Sequence, residues 1–577
     1  MDNSIRELVT LQIGHYANFV GTHWWNLQES SFVYDSPSLT DINHDYLFKE
    51  GLTLQRQETY TPRLLAIDFR GNLHSLSVSG SLYNPIRPEP STSEALWDGQ
   101  IELIKQLPEE KNEFLRDLEK EDAFHQMPTD EDKDICIEDV NPYSSVSNNT
   151  VPSSHKIYDL SNSVKVWSDY LKQHLHPNSI YLLDDNHIAA VNATEEGSWG
   201  FSCGFAFWQR EEVEEDITDR IRMLSESCGS LQGFQILCDI HDGMGGITNG
   251  ILMHLEDEYG SKDSITFATT PPHLAPQIPQ SRVLMQASIV QSYTLLSKTS
   301  NVFLPLSLRQ SCLDLQAAPV SFPHILAQID KPYMSSSVLA SFLDTVTLPY
   351  RVRNETMPLS HVIEMVTLPG CQVVGGSLAL PLGLTCNQYL MEWIDSNNYP
   401  PSVSLTPDVD IRLDPLSEIQ IIRGISPSRL VRPGTKLVSG KQYHTAAELY
   451  QSFLEENYIP PRRRVIIGAR DLLKTGSPFP SIFKETITED GLVDSSKRAV
   501  TQVNGVPCLA GMHQGKGIGN ILHKLQTVAE KLDVSKVPRL VDEGMDRETW
   551  ADTVEELRKI HGNYSSKTET ESSDDEI

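Results

Sequence analysis

Residues 11–26 read LQIGHYANFVGTHWWN, and this stretch decides the fold. An apolar run, residues 8–13, ends at Gly14. After the glycine, apolar side chains recur at helical spacing, and these are Phe19, Val20, Trp24 and Leu27. The pattern predicts a strand, a glycine turn and a helix in that order.

The same order returns twice further along the chain. An apolar run at residues 64–67 ends in Asp68, and a second run at residues 234–237 precedes the glycine loop 242–246. Strands that alternate with helices build a parallel sheet, and ligands of such sheets lie at the carboxyl ends of the strands. We therefore expect residues 14–17, Asp68 and residues 242–246 to meet at one edge of a parallel sheet.

The rest of the chain is less regular. Residues 85–155 are rich in proline and in acidic side chains, and they read as an acidic insertion. The second half mixes strand-like with helix-like runs, at residues 419–422, 446–454, 465–467 and 521–531. These patterns predict three parts: an α/β domain at 1–335, an α+β domain at 336–520, and a C-terminal helical segment with an acidic tail at 521–577.

The chain carries a large negative charge. Its 577 residues include 78 acidic and 47 basic side chains, which gives a net charge of −31. Such a charge repels phosphate backbones, so we expect no nucleic-acid partner. The eight cysteines are scattered singly, and residues 1–11 show neither a secretory signal nor an Arg-rich presequence. The sequence therefore predicts residence in the cytoplasm.

Residues 365–391 contain no charged side chain and are long enough to cross a bilayer as a helix. Proline and glycine interrupt the stretch at six positions, and these are Pro369, Gly370, Gly375, Gly376, Pro381 and Gly383. Residues of these two types break helices. The pattern favours short buried strands, with a membrane segment as the alternative.

Four further clusters each have a functional and a structural interpretation. Cys238, Asp239, His241 and Asp242 suggest a metal site, but consecutive positions rarely converge on one ion, so an altered phosphate loop is favoured. For residues 462–464, all arginine, solvated surface is favoured over docking. Trp24 and Trp25 are assigned to core packing. Residues 515–519 lack a preceding strand and the P-loop ending, so we expect a loop that enters a helix at Asn520.

The opening stretch resembles the tubulin opening LQ-x-GQ-x-GNQ-x-G-x-x-FW almost position for position. Four more segments resemble tubulin in the same order, and they are residues 61–63, 219–222, 231–234 and 544–546. His15, the Trp24-Trp25 pair, the altered glycine loop and the insertion resemble the Misato family within the tubulin/FtsZ superfamily. The resemblance implies a tubulin-like fold: a parallel-sheet domain of the nucleotide-binding type, an intermediate α+β domain and C-terminal helices.

The resemblance also implies a function. Misato proteins govern mitochondrial distribution, morphology and fusion, so we expect a location in the cytoplasm and at the cytosolic face of the mitochondrial outer membrane. Membrane association would be peripheral, through protein partners at that surface, with tubulin or a chaperonin as further candidates. Two alternatives stay open: a GTP-binding cytoskeletal GTPase, and a chaperonin-linked factor in tubulin or spindle assembly.

A tubulin-like site would use residues that match the family's motifs, with GTP as the candidate cofactor. These residues are Gly14, His15, Tyr16, Asn18, Asp68, Arg70, Gly243, Gly245 and Gly246. The sequence departs from the tubulin loop GGGTGSG, because residues 241–247 read HDGMGGI and place Asp242 beside the phosphate position. The nearest counterpart of the hydrolytic carboxylate is the displaced Glu355. We therefore expect a non-polymerising protein without GTPase activity.

Overall fold

The computed structural model describes residues 6–33, 40–52, 58–82, 110–125, 156–183, 199–274, 279–314, 316–353, 356–396, 401–411, 413, 415–434, 442–458, 460–498, 502–542 and 544–566. Most of the predicted insertion, Glu355 and the acidic tail lie outside these ranges. Within the predicted insertion, Glu113–His125 forms a helix.

Six parallel strands form the main sheet in the spatial order β5-β4-β1-β6-β7-β8. The strands are β1 (Glu7–Ile13), β4 (Leu64–Phe69), β5 (Ile180–Leu183), β6 (Leu231–Asp239), β7 (Asp263–Thr270) and β8 (Val302–Ser307). Two shorter strands, β2 (Phe48–Leu52) and β3 (Glu58–Pro62), form a separate hairpin. The central strands are buried on both faces, as expected where helices cover a parallel sheet on both sides.

The helices of the first half connect and cover these strands. They are α1 (His15–Ser30), α2 (Glu113–His125), α3 (Phe201–Trp208), α4 (Glu211–Glu226), α5 (Met244–Tyr259), α6 (Pro279–Thr299) and α7 (Pro332–Val346). Alternate strand residues face opposite cores: Leu8 packs with Trp24 on the α1 and α7 side, whereas Val9 packs with Ile251 on the α5 and α6 side. The predicted strand, loop and helix repeat is confirmed.

A second, mixed sheet lies in the other half, in the order β10-β9-β15-β11-β12. Its strands are β9 (Gly375–Ala379), β10 (Val403–Ser404), β11 (Pro415–Arg423), β12 (Arg463–Ala469) and β15 (Cys508–Gly515). A two-stranded ribbon, β13 (Leu473–Lys474) with β14 (Gly505–Val506), lies apart from it. Ile419 and Ile421 of β11 belong to the same core as α7. Helix α7 is therefore buried along nearly its whole length, with the two sheets on either side of it.

The remaining helices are α8 (Leu359–Val366), α9 (Leu390–Ser396), α10 (Ala446–Asn457), α11 (Gly517–Lys531), α12 (Pro538–Asp542) and α13 (Arg547–Ser566). Helices α11 and α13 pack against α6 of the first half, because Leu525 and Leu557 share a core with Leu296. The predicted boundaries after residues 335 and 520 fall within α7 and α11. The division into domains stays a prediction.

Most apolar residues of the stretch 365–391 are buried, including those of β9, whereas Pro369, Gly370, Thr385 and Asn387 are exposed. Strand β9 ends at Ala379, and Leu380, Leu382 and Leu384, which follow it, are buried but lie outside a strand. None of the described helices is both long enough and apolar enough to span a bilayer.

One prediction for the second half was wrong, and the prediction of solvated surface at residues 462–464 holds for the exposed Arg462 but not for Arg464. Strand β15 runs directly into α11 at Gly517, so a strand does precede the glycine loop and the helix begins before Asn520. Arg464 is not solvated surface. It lies opposite Glu418 in the β11–β12 register and forms a nearly buried ion pair with that carboxylate.

A buried ion cluster joins α1, α7 and β11. Asp344 of α7 lies 3.0 Å from Arg351 Nη2 and 2.6 Å from Arg423 Nη1, and Gln28 of α1 donates to the same carboxylate. Arg351 in turn donates to Gln28 Oε1 at 2.6 Å. Burial alone would raise the pKa of Asp344, but the two guanidinium groups lower it below its usual value.

Replacing Asp344 by asparagine should strongly destabilise the protein. The change leaves two buried guanidinium groups without their carboxylate, and such a loss costs about 3–5 kcal/mol. Urea unfolding followed by circular dichroism measures it. Asp395→Asn, at an exposed position of α9, is the matched control and should change stability by less than about 0.5 kcal/mol. Equal midpoints for the two variants would contradict the role of the cluster.

Candidate functional site at the carboxyl edge of the parallel sheet

The loops that follow β1, β4 and β6 meet at one edge of the sheet. His15 Nδ1 lies 3.3 Å from Asp68 Oδ2, and Asn18 Nδ2 donates to the same oxygen at 3.2 Å. The N–H group of Tyr16 donates to Asp239, the last residue of β6, at 2.8 Å. The structure therefore brings together the segments for which the sequence predicted convergence.

Asp239 occupies the N-terminus of α1. Its carboxyl group accepts the N–H groups of Tyr16 at 2.8 Å and Ala17 at 3.1 Å, and the hydroxyl of Thr269 at 2.7 Å. Free N–H groups and the positive end of the helix dipole make such a terminus an anion site. In this chain a buried carboxyl group of the protein itself fills that position.

Gly14 is required by this arrangement. Its φ of 116° is one that other residues rarely adopt, and a Cβ atom there would lie 2.5 Å from Asp239 Oδ2. Burial and the neighbouring Asp242 raise the pKa of Asp239 above its usual range, while the bonds from Thr269 and Tyr16 oppose the rise.

The N-terminus of α5 is capped in the same way. Asp242 Oδ1 accepts the N–H group of Met244 at 2.9 Å. The next two amides are also used, since Gly245 donates to the carbonyl of Asp242 and Gly246 donates to that of Gly243. Burial raises the pKa of Asp242, and nearby His241 opposes the rise. The N-termini of α1 and α5 are therefore occupied by groups of the chain.

The glycines of the altered loop allow close packing. A Cβ atom on Gly246 would lie 1.9 Å from the carbonyl oxygen of Phe201, and one on Gly243 would lie 2.4 Å from the Trp199 ring. A Cβ atom on Gly245 would lie 2.4 Å from the Ser292 hydroxyl oxygen. The missing side chains let α3 and Trp199 approach α5, so these glycines have a packing role in addition to any role towards a ligand.

Asp68 is surrounded by donors. Besides His15 and Asn18, its carboxylate accepts the indole N–H of Trp167 at 2.8 Å, the side-chain amide of Asn72 at 2.7 Å and the Phe69 N–H at 2.8 Å. Asp68 is buried, so these bonds satisfy its charge inside the protein. Arg70 is exposed, in the short 3-10 turn Arg70–Asn72.

Aromatic side chains fill the space between α1 and α7. The buried Tyr16 donates its hydroxyl to Ser335 at 3.1 Å. His23 stacks between Tyr170 and Tyr333, with ring centroids 4.5 Å and 5.2 Å away. Burial lowers the pKa of His23 to about 3, so this imidazole is neutral near pH 7. Trp24 and Trp25 are fully buried beside this cluster, which confirms their assignment to packing.

The group Cys238, Asp239, His241 and Asp242 does not converge. The first carboxylate faces α1 and the second faces α5, as their hydrogen bonds show. Among the described residues, no three His, Cys, Asp or Glu side chains are arranged to hold a metal ion.

Sequence reasoning missed the roles of three residues that shape this edge. Asp239 ends β6 just as Asp68 lies near the end of β4, and that parallel could have identified it as an edge carboxylate. Trp167 gave no such signal, because it reaches Asp68 from 99 residues away, across the insertion. Trp199 packs edge-to-face against Phe69, with ring centroids 5.3 Å apart, and likewise follows a long connection.

The fold and the residues of its carboxyl edge define a tubulin-like α/β protein. Two family models match the chain: the Misato Segment II tubulin-like domain over residues 6–120 and the Tubulin domain over residues 158–352. The chain belongs to the Misato family.

Curated relatives extend this match over the whole chain. Protein misato homolog 1 of Danio rerio is 32% identical and covers 100% of both chains. Protein misato of Drosophila melanogaster is 30% identical, and Protein misato homolog 1 of Homo sapiens is 28% identical. Each of these two alignments covers 97% of this chain and 98% of the relative.

Replacing Asp239 by asparagine tests the cap of α1. The folded protein holds the Asp239 proton over a pH range in which the unfolded chain has lost it, because the pKa is raised. The stability that Asp239 contributes is therefore lost as pH rises above about 4, the unfolded value, and the variant lacks this pH-dependent loss. We expect the variant to be less stable by about 1–3 kcal/mol at pH 5 and by less at pH 8.

Urea unfolding at pH 5 and at pH 8 measures the variant's loss of stability and the dependence of that loss on pH. Asp395→Asn is the control and should show neither effect. If the variant's loss of stability, relative to the unsubstituted protein, were larger at pH 8 than at pH 5, the raised pKa of Asp239 would be contradicted.

Proposed function

We propose that this chain is a non-polymerising, tubulin-like binding protein that acts in mitochondrial distribution, morphology and fusion without GTPase activity. One observation supports the absence of GTP binding and hydrolysis: the chain's own carboxyl groups, Asp239 and Asp242, cap the N-termini of α1 and α5 at the carboxyl edge. In a tubulin-like site those N–H groups would bind phosphate.

A nucleotide would have to displace these caps. Phosphate entry at α1 would break the bonds from Tyr16, Ala17 and Thr269 and would leave a buried carboxyl group unpaired. At α5 the phosphate would meet the Asp242 carboxyl group. The side chain of Tyr16, which donates to Ser335 of α7, occupies further space between α1 and α7. These contacts support a site closed by the protein itself over a GTP site.

The mitochondrial role rests on membership of the Misato family. The net charge of −31 opposes adsorption on anionic lipid, which supports attachment through protein partners on the cytosolic face of the outer membrane. Such partners include tubulin or a chaperonin as candidates. The protein would then divide between the cytoplasm and that surface.

Purified protein should contain no guanine nucleotide and should hydrolyse GTP no faster than buffer, because the phosphate-binding amides are already used. Acid precipitation followed by chromatography of the supernatant measures bound nucleotide, and sedimentation measures polymer. A tubulin sample taken through the same steps is the positive control. Stoichiometric nucleotide together with GTP-dependent polymer would reject the proposal and favour the cytoskeletal GTPase.

Depletion should fragment or cluster mitochondria, and re-expression of the Arg70→Ala variant should restore the network as fully as the unsubstituted chain. Arg70 is exposed, and its expected role is to contact the phosphate of a bound nucleotide. Its loss should therefore matter only if the function requires nucleotide. The destabilised Asp344→Asn variant is the control that fails to restore it. Failure of Arg70→Ala at equal protein level would argue for a required nucleotide, and a normal network after depletion would reject the mitochondrial role.

A further inference from the structure

A cavity of 490 Å³ lies at the opposite edge of the main sheet from the capped helices. It is lined near the beginnings of β6 and β7, where Phe234 and Ser264 contribute, and near the ends of α5 and α6. Helix α8 and the first residue of β12 form the other side. The cavity therefore opens between the two halves of the fold, away from the site described above.

Three basic and two acidic side chains line this cavity. Lys262, Lys298 and Arg463 line it together with two carboxylates, Glu256 and Glu364. With three basic and two acidic side chains, the lining has a net charge of +1 on a chain whose net charge is −31. Lys262 follows α5 and Lys298 lies in the last turn of α6, where the negative end of each helix dipole favours a cation.

These cations differ in what they contact. Lys298 Nζ lies 3.5 Å from Glu556 of α13, so one cavity lysine already attracts an acidic residue of the C-terminal helix. Arg463 donates to the carbonyl oxygen of Glu364 through one guanidinium nitrogen. Lys262 is exposed, and no ion pair of its ammonium group is found within the described part of the chain.

Helix α13 ends against the wall of the same cavity. Asn563 Nδ2 donates to the carbonyl oxygen of Gly370 at 3.0 Å, and the Tyr564 hydroxyl donates to that of Val373 at 2.8 Å. Gly370 and Gln372 are both lining residues. The chain leaves α13 at Ser566, two residues after this contact.

The sequence beyond Ser566 is acidic. Residues 567–577 read KTETESSDDEI, with five carboxylates and one lysine. An extended chain advances about 3.3–3.6 Å per residue, so Glu569 and Glu571 can lie up to roughly 10–18 Å from Ser566. The carboxylates of this segment therefore begin within reach of the cavity wall that α13 contacts.

We propose that residues 567–577 dock in this cavity and that their carboxylates pair with Lys262, Lys298 and Arg463. Three observations support this occupant: the position at which α13 ends, the complementary charge, and the ion pair that α13 already makes with Lys298. The cavity is then an acidic-peptide site that the chain fills with its own C-terminal segment. The inference is independent of the proposed function.

Carbodiimide cross-linking of the full chain tests the contact, because this reagent joins a carboxylate only to an amine that touches it. Mass spectrometry should find Glu569 or Glu571 joined to Lys262 or Lys298, and not to Lys474, an exposed lysine of β13. The yield should fall in 1 M salt, which screens exposed charges. A mixture of heavy-isotope and ordinary chains shows whether the link lies within one chain. Equal yields at all exposed lysines would overturn the proposal.

Limited proteolysis gives a second readout. A glutamate-specific protease should cleave the segment after Glu569 and Glu571 faster in the double variant Lys262→Glu, Lys298→Glu. The expected increase is about threefold to tenfold, since exposed ion pairs are individually weak. Both lysines are exposed, so the double variant should fold, and Lys474→Glu is the matched control. Cleavage at the same rate in all three proteins would overturn the docking proposal without bearing on nucleotide binding.

Discussion

The buried carboxylate of Asp344 is the constraint on which the arrangement of the two halves depends. It lies between two guanidinium groups, one following its own helix and one on the second sheet, and it also meets Gln28 of α1. A buried charge of this kind is tolerated only while its partners stay in place. The cluster therefore fixes the C-terminal ends of α1 and α7 against each other and against β11.

The other ends of these two helices are joined by a weaker contact. Tyr16 near the start of α1 bonds Ser335 near the start of α7 at 3.1 Å. With both ends fixed, α1 cannot shift along α7, and its N-terminus stays beside Asp239. The long-range ion cluster thus helps to hold the carboxyl edge closed, although it lies at the far end of the same helices.

Much of this arrangement could be predicted from the sequence. The apolar runs before Gly14, Asp68 and the glycine loop predicted the parallel sheet and the meeting of the three loops, because strands that alternate with helices run parallel and have their carboxyl ends at one edge. The side chains that fill the carboxyl edge of the sheet, and their partners, could not be predicted. The bond from Trp167 to Asp68 crosses the insertion, and the pairing of Arg464 with Glu418 depends on the β11–β12 register. Such contacts depend on tertiary packing rather than on the periodicity of one segment.

The helix dipoles are compensated differently at the two edges of the main sheet. At the carboxyl edge the positive helix ends meet carboxyl groups, and Asp239 among them is buried and fully bonded. At the other edge the negative helix ends meet Lys262 and Lys298, whose ammonium groups are exposed. A buried carboxyl group that compensates a helix dipole also closes the site to ligands. An exposed lysine that compensates a helix dipole can still pair with a further partner. In this chain the edge that usually binds ligands in open α/β sheets is satisfied internally. The exposed charges that can pair with a binding partner therefore lie at the opposite edge, beside the end of α13.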